Sequence, residues 1–168
     1  MMRIRELCPE DAAPARAIWN EVVAAGNAFP QEEPLATDEE ALCFFQGQTR
    51  CAVAVDDTGD GGQVLGLYIL HPNNVGRCAH VANASYAVAA SARGRGIGRA
   101  LVEDSLAALG PCGFAGLQFN AVVASNEGAI RLYERLGFTR VGTIPGGFRN
   151  KRGALEDIHL FYHAAPLA

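Results

Sequence analysis

The chain has 168 residues, a length typical of one domain, so residues 1–168 are expected to form a single domain that buries a substantial core. Hydrophobic residues make up 49% of it and the net charge is −4, which excludes an overall basic surface for nucleic acid. No apolar run approaches the roughly 20 residues of a membrane-spanning helix.

The cysteines and the N-terminal residues indicate the cellular compartment of the protein. The five cysteines contain no C-x-x-C pair, which argues against a zinc site or a disulfide framework. Residues 1–6 carry no apolar segment of a signal peptide. We therefore expect a cytoplasmic protein that holds no metal.

The first half of the chain predicts a strand, two helices and two more strands. Asp11 and Thr37 each precede an apolar helical pattern as a side-chain N-cap. A polar, glycine-rich stretch over 56–62 predicts a hairpin connection. The predicted elements are a strand over 2–8, helices to Ala25 and over 38–47, and strands over 50–56 and 64–71.

The second half alternates strands with helices, and Pro145 marks the start of its last predicted loop. The apolar spacing predicts an α/β fold with seven strands and four helices in all. The predicted elements are strands over 79–88, 114–124, 138–144 and 155–162, and helices over 97–109 and 127–136.

A glycine-rich turn, Arg93-Gly94-Arg95-Gly96-Ile97-Gly98, lies between the fourth strand and the third helix. Such a turn points successive backbone N–H groups at one anion, and the helix N-terminus adds about half a positive charge. The arginines at 93, 95 and 99 strengthen the prediction of a phosphate or pyrophosphate ligand. No Gly-Lys-Ser/Thr follows as in a P-loop, and Arg99 stands where a dinucleotide fingerprint needs glycine. The alternative is an ordinary turn before a surface helix.

A second block over residues 126–138 predicts a short helix with both ends marked. Ser125 or Asn126 can accept a backbone N–H as the N-cap, and Gly137 suits the left-handed position after the last turn. Apolar residues recur at helical spacing on the side of Tyr133, which predicts that this side is buried.

The two blocks together resemble the signature of the GCN5-related N-acetyltransferase (GNAT) superfamily. The first matches Arg-x-x-Gly-x-Gly at Arg93, Gly96 and Gly98. The second matches Asn-x-x-Ala-x-x-x-Tyr-x-x-x-Gly-Phe at Asn126, Ala129, Tyr133, Gly137 and Phe138. The resemblance implies a mixed, mostly antiparallel seven-stranded sheet, splayed between strands 4 and 5 and flanked by four helices. It also implies acetyl-CoA as the acyl donor.

In that superfamily the glycine-rich loop wraps the pyrophosphate of CoA, and the backbone of the fourth strand faces the thioester. Tyr133 is implied as the general acid, because a phenol stays protonated at neutral pH and can donate to a thiolate. The alternative is a tyrosine buried in the core. The resemblance implies that acetyl-CoA contacts Tyr86, Ala87, Val88, Arg93, Gly94, Arg95, Gly96, Ile97, Gly98, Arg99, Asn120, Asn126 and Tyr133.

The general base has no matching family residue in this chain. Many relatives carry a glutamate on the fourth strand, and none stands between His80 and Val88 here. His80 is a candidate because imidazole exchanges protons near neutral pH. A structural role for His80, with deprotonation of the amine through water, is the alternative. His71, directly before Pro72, is predicted to be a turn residue.

Asn83 and Asn120 are amides within otherwise apolar strands, where an unpaired amide is costly. They are predicted either to bind a small polar acceptor or to clamp strand ends or a loop. With Asn126 they resemble the branch of yeast-type acetyltransferases that act on azetidine-2-carboxylate and related imino acids. That resemblance implies a small amino or imino acid as acceptor, with Asn83 as a catalytic and acceptor-binding residue. Alternation along the strand places Asn83 on the face opposite Tyr86.

Two loops, over 27–36 and 145–153, are expected to shape the acceptor pocket. The residues predicted to contact the acceptor are Phe29, His80, Asn83 and Arg149. Two other functions stay open: a protein N-terminal or lysine acetyltransferase, to which Glu32-Glu33 points, and a non-catalytic acyl-CoA-binding module. The expected partner is a small-molecule amine, and a homodimer stays open.

Overall fold

The computed structural model describes residues 1–58 and 62–166, so the centre of the predicted connection over 56–62 lies outside the described residues. Within them the chain forms seven strands and four helices in the predicted order. The strands are β1 (Met2–Glu6), β2 (Arg50–Asp56), β3 (Gln63–Pro72), β4 (Val81–Val88), β5 (Gly116–Val123), β6 (Thr139–Arg149) and β7 (Leu155–Ala164). The helices are α1 (Ala12–Ala25), α2 (Asp38–Gln46), α3 (Ile97–Ala108) and α4 (Glu127–Arg135).

All these strands belong to one sheet with the order β1-β2-β3-β4-β5-β7-β6. Every neighbouring pair is antiparallel except β4 and β5, which run parallel. Among the described residues, β4 and β5 pair only at Val81 with Gly116 and at Ala82 with Leu117. Beyond these two pairs the strands separate, so backbone groups of β4 that point toward β5 have no strand partner. The fold that the family resemblance implied, including the splay, is confirmed.

Helices cover both faces of the sheet and form two cores. The core beneath α3 contains Leu101 of that helix and Phe161 of β7, both fully buried. The core beneath α1 and α2 is built around Trp19 and Phe45. The core beneath α3 includes Ala82 of β4 and Leu117 of β5, so it supports both of the strands that separate.

Side chains of β4 alternate between the two faces, as predicted. Ala82 and Ala84 pack in the core beneath α3, and Tyr86 packs against it. Ala87 packs in the core beneath α1 and α2. Asn83 therefore shares the α1 face with Ala87 and points away from α3.

The predicted cap at Asp11 and the predicted loop at Pro145 are wrong. Asp11 does not cap α1, because its carboxylate accepts hydrogen bonds from the Cys8 backbone N–H at 2.9 Å and from the Arg5 guanidinium at 2.6 Å. The predicted loop at Pro145 lies inside β6, whose register against β7 shifts around this residue. Proline is tolerated there because β6 is an edge strand. The cap of α2 is confirmed, since Thr37 accepts from a backbone N–H of the first turn at 3.1 Å.

Three further properties concern the whole described chain. The five cysteines are unpaired. Across residues 1–58 and 62–166, no helix combines the length and the apolar character needed to cross a membrane. In the same residues, no three side chains of His, Cys, Asp or Glu lie close enough together to hold a metal ion.

Candidate active site

A cavity of about 340 Å³, the acceptor cavity below, opens where β4 and β5 separate. Asn83 and Ser85 line it from β4, and residues 119–123 line it from β5. Tyr133 lines it from α4, and residues 28–31 line it from the loop after α1. Both separated strands therefore border this space, which is where the family resemblance predicts the reacting groups.

A second cavity of about 360 Å³, the donor cavity below, continues from the first toward the glycine-rich turn. Ala28, Tyr86 and Asn126 line both cavities, so the two are contiguous. Val88 and Arg93 line the donor cavity at the end of β4 and the start of the turn. Together the cavities form one path from the turn to the point where β4 and β5 part.

The glycine-rich turn has the backbone geometry of an anion site. Gly94 and Gly96 have φ angles of 76° and 78°, in the left-handed region that glycine adopts without strain. Gly96 is the N-cap of α3, so the N–H groups of the first turn, from Ile97 onward, have no acceptor within the helix. A Cβ at position 94 or 96 would meet no atom within 4 Å. The glycines are therefore needed for the backbone conformation, and space for a ligand lies beside them.

The three arginines of the turn differ in their partners. Arg95 donates to Asp56 at 3.0 Å, and Arg99 donates to Glu103 at 2.9 Å. Arg93 forms no ion pair with any residue that the structure describes, and it borders the donor cavity. Arg93 is thus the arginine of the three whose charge is most available to an anion.

Tyr133 lies among aromatic rings and also borders the acceptor cavity. Its ring centroid is 4.5 Å from that of Phe119 and 5.5 Å from that of Phe138. Burial raises the pKa of the phenol well above its usual value, so the hydroxyl keeps its proton at neutral pH. The hydroxyl forms no hydrogen bond with the described part of the chain. Tyr133 therefore combines the core position and the access to the cavity that were predicted as alternatives.

Both ends of α4 are capped as predicted, and the caps fix the position of Tyr133. The Asn126 side chain accepts a hydrogen bond from a backbone N–H of the first turn at 3.4 Å. After the helix, Gly137 has a φ of 87°. The N–H groups of Gly137 and Phe138 donate to the carbonyls of Glu134 and Tyr133 at 3.2 and 3.0 Å. This hydrogen-bonded end includes the backbone of Tyr133 itself.

The side chain of Tyr86 points toward α3 and away from the α1 face. Its hydroxyl oxygen is 2.7 Å from Oγ of Ser105 in α3, and burial raises its pKa. Ala87, the next residue, is buried on the other face. A ligand that lies between β4 and β5 therefore meets mainly the backbone of residues 86–88. Contact of that backbone with the thioester stays a prediction.

Asn120 is bonded to neighbouring amides. It donates to Asn73 Oδ1 at 2.6 Å and accepts from Gln118 Nε2 at 2.9 Å. The register of β5 against β7 shifts between Phe119 and Val122, which marks a bulge at this position. This geometry matches the loop-clamping alternative more closely than direct contact with a ligand.

Asn83 and His71 lie side by side at the acceptor cavity. They are directly opposite each other in the antiparallel register of β3 and β4, and both line the cavity. The prediction of His71 as a turn residue is wrong, because β3 continues through Pro72. The alternation of Leu67 and Ile69 along β3 was the sequence signal that places His71 on the α1 face.

Two predicted acceptor residues lie outside the acceptor cavity. His80 is exposed just before β4, and its backbone carbonyl accepts from a backbone N–H before β5 at 2.8 Å. Arg149 is exposed at the end of β6 and lines a third cavity, which shares residues 29–31 with the acceptor cavity. Phe29 is buried against Trp19, with ring centroids 4.5 Å apart, and lines the acceptor cavity. The structure therefore brings together Phe29 and Asn83, but neither His80 nor Arg149 joins them.

Residues 15–138 match the acetyltransferase (GNAT) family. The chain belongs to this family. The N-acetyltransferase aca1 of Schizosaccharomyces pombe is 31% identical to this GNAT protein over an alignment of 158 residues, gaps included, and the match covers 86% of this chain and 76% of the relative. A GCN5-related N-acetyltransferase from Kribbella flavida has a TM-score of 0.86 and 38% identity, with 97% of both chains covered.

A GNAT superfamily phosphinothricin acetyltransferase from Sinorhizobium meliloti, solved in complex with AcCoA, has a TM-score of 0.85 to this GNAT protein. The two are 22% identical, and the match covers 98% of this chain and 88% of the other. The likeness at this identity shows the shared fold.

Proposed function

We propose that this GNAT protein is an acetyl-CoA-dependent N-acetyltransferase that acetylates the amine of a small molecule, an amino or imino acid. The observation that carries the proposal is the continuous path from the glycine-rich turn to Asn83 and Tyr133. One end offers backbone N–H groups to an anion, and the other offers a proton donor and an amide. The AcCoA bound to the Sinorhizobium meliloti enzyme of the same fold supports acetyl-CoA as the donor.

The glycine-rich turn at the end of the donor cavity fits the pyrophosphate of CoA. The left-handed glycines expose the N–H groups at the start of α3, and Arg93 adds a positive charge beside them. The backbone of β4 beyond Ala82 has no partner on β5, so it fits the amide groups of the pantetheine arm. When bound, acetyl-CoA supplies an acetyl thioester that an amine nitrogen can attack.

Tyr133 holds the proton that a departing thiolate needs. Its raised pKa keeps the hydroxyl protonated, and no described residue competes for that proton. The rings of Phe119 and Phe138 beside it limit the access of water. A backbone N–H of β4 facing the cleft stabilises negative charge on the thioester oxygen.

The acceptor cavity fits a small polar amine. Asn83 presents an amide, which can donate to a carboxylate and accept from an amine. Residues 28–31 cover the cavity on the α1 side, and its volume of about 340 Å³ is at the small end for ligand sites. This cover favours a small molecule over the peptide of a protein acetyltransferase.

Thiol release from acetyl-CoA by the purified protein tests the proposal. The acceptors are free amino acids, cyclic imino acids and short peptides, and we expect turnover with at least one free amino or imino acid. Turnover confined to peptides would establish a protein acetyltransferase instead. Calorimetric binding of CoA without turnover of any amine would leave an acyl-CoA-binding module.

We also propose that the protein is cytoplasmic, on the cysteine pattern described above, and a homodimer stays open. Light scattering of the purified protein and fractionation of the producing cells test these two points.

A further inference from the structure

The proposed reaction needs a side chain that takes a proton from the acceptor amine. The candidates are the titratable side chains of the acceptor cavity, and this inference rests on the proposed function. Among the described residues these are His71, Tyr86 and Tyr133. Burial raises the pKa of both tyrosines, so neither phenol accepts a proton near neutral pH. No carboxylate of the described chain lines the cavity. Imidazole is the side chain that gains and loses a proton between about pH 5 and 8. Within the described residues, this leaves His71.

His71 is placed beside the residue proposed to hold the acceptor. It lies directly opposite Asn83 in the antiparallel register, where Cβ atoms are about 4.5–5.5 Å apart. Ile69 packs in the core beneath α1 and α2, whereas Leu70 packs in the core beneath α3. Alternation along the strands therefore places both the imidazole and Asn83 on the α1 face. An acceptor bound to Asn83 brings its amine close to this ring.

The hydrogen bond of His71 to the next residue selects the tautomer. Nδ1 lies 2.9 Å from the Pro72 carbonyl oxygen, and a carbonyl can only accept. Nδ1 therefore carries the hydrogen of the neutral imidazole, and Nε2 keeps its lone pair. No residue in the described ranges hydrogen-bonds to Nε2. The ring is thus oriented by one nitrogen while the other is free to act as a base.

We propose that His71 is the general base of the acetyl transfer. Its Nε2 accepts a proton from the acceptor ammonium, and the amine nitrogen keeps the electron pair of the broken N–H bond. That pair forms the new C–N bond while the C–S bond breaks, and the thiolate takes the proton of Tyr133. A second amine proton restores Tyr133 through solvent, and the imidazolium loses its proton to solvent. The products are the N-acetyl compound, the CoA thiol and one released proton.

The test compares His71→Asn with His163→Asn in the 168-residue chain. Asparagine can still donate to the Pro72 carbonyl but has no basic nitrogen. His163 is the matched control, because its Nδ1 lies 2.5 Å from the Ala164 carbonyl oxygen and the residue is on β7, outside the acceptor cavity. We expect His71→Asn to lower kcat about 100-fold with an unchanged Kd for acetyl-CoA, and His163→Asn to leave kcat unchanged.

The pH profile separates a base from a residue that only binds or supports. The defect of His71→Asn should shrink between pH of about 7 and about 9.5, because more of the acceptor then arrives neutral. The other titratable side chains of the acceptor cavity are Tyr86 and Tyr133, and Cys51 lies on the adjacent β2, opposite Ile69. Burial raises the pKa of all three, that of Cys51 to about 12, so they stay protonated over this range.

Three results overturn the inference and leave the proposed function standing: an unchanged kcat, a rise in acceptor KM alone, or a defect that is constant with pH. Circular dichroism and CoA affinity check that His71→Asn folds, and His71→Gln replaces it with the same expectations if it does not. A wild-type protein that binds acetyl-CoA but acetylates no amine overturns the proposed function itself, so it is assayed before the variants.

Discussion

The two ends of the active-site path present their proposed binding groups in different ways. At the donor end the proposed phosphate-binding groups are backbone N–H groups of the glycine-rich turn, whose first residue, Arg93, lines the donor cavity. In the acceptor cavity they are side chains from separate elements, among them Phe29, His71 and Asn83. The donor is thus recognised by local conformation, whereas the acceptor is recognised only once strands and loop have packed. Substitutions in the two cavities should therefore have separable effects.

Gly96→Glu should have the largest effect, a loss of CoA affinity of more than about 100-fold. It places a side chain at a left-handed φ and a negative charge where phosphate is expected. Calorimetry with CoA measures the loss. Gly113→Glu is the matched control, since Gly113 has a φ of 82° and equally open surroundings outside both cavities. Wild-type affinity in Gly96→Glu would refute the placement of the donor.

Tyr133→Phe should lower kcat about 100-fold and leave both CoA affinity and the free energy of unfolding nearly unchanged. The hydroxyl has no hydrogen bond to lose among the described residues. Tyr68→Phe is the control, because its hydroxyl accepts from Arg50 at 2.7 Å and donates to Asp104 at 2.6 Å. That variant should lose about 1–3 kcal/mol of unfolding free energy and keep kcat. Unchanged turnover in Tyr133→Phe would remove its role as acid.

Asn83→Ala should raise the acceptor KM or lower turnover by about 10-fold, the value of one hydrogen bond to a charged group, without changing CoA affinity. Asn120→Ala should instead lower the melting temperature by a few degrees, roughly, because it breaks the bonds to Asn73 and Gln118. Steady-state kinetics and thermal unfolding distinguish the two. A loss of stability alone in Asn83→Ala would assign it a structural role.

Arg93→Ala should have the smallest effect, a loss of CoA affinity of about fivefold that diminishes at high salt. Arg95→Ala should cost less, since its guanidinium is already paired with Asp56. Calorimetry at two salt concentrations compares them. Equal losses would show that the ion pair with Asp56 opens when CoA binds.

The sequence predicted those features that depend on residues close together in the chain. The cap by Asn126 and the left-handed Gly137 were correct, because each makes its hydrogen bonds within a few residues. Asp11 failed as a cap because Arg5, a residue of the neighbouring strand, competes for its carboxylate. The left-handed glycines of the turn at Gly94 and Gly96 belong to this predictable class.

The acceptor cavity was predicted less well, because its composition depends on strand register. His71 enters the cavity only through its pairing with Asn83, and Asn120 is turned to Asn73 by contacts across the sheet. His80 was misplaced because β4 begins at Val81, two residues later than predicted, and leaves His80 exposed before the strand. Residue spacing alone does not determine such pairings.

The short seam between β4 and β5, where the two strands pair, affects the stability of the protein. Two residue pairs join a half-sheet of β1–β4 to a half-sheet of β5–β7. A thioester lying along that seam would tie the halves together, and at a concentration of 100 times Kd it would add about 2.7 kcal/mol to the free energy of unfolding. Resistance to heat and to proteolysis would then rise and fall with the supply of the donor.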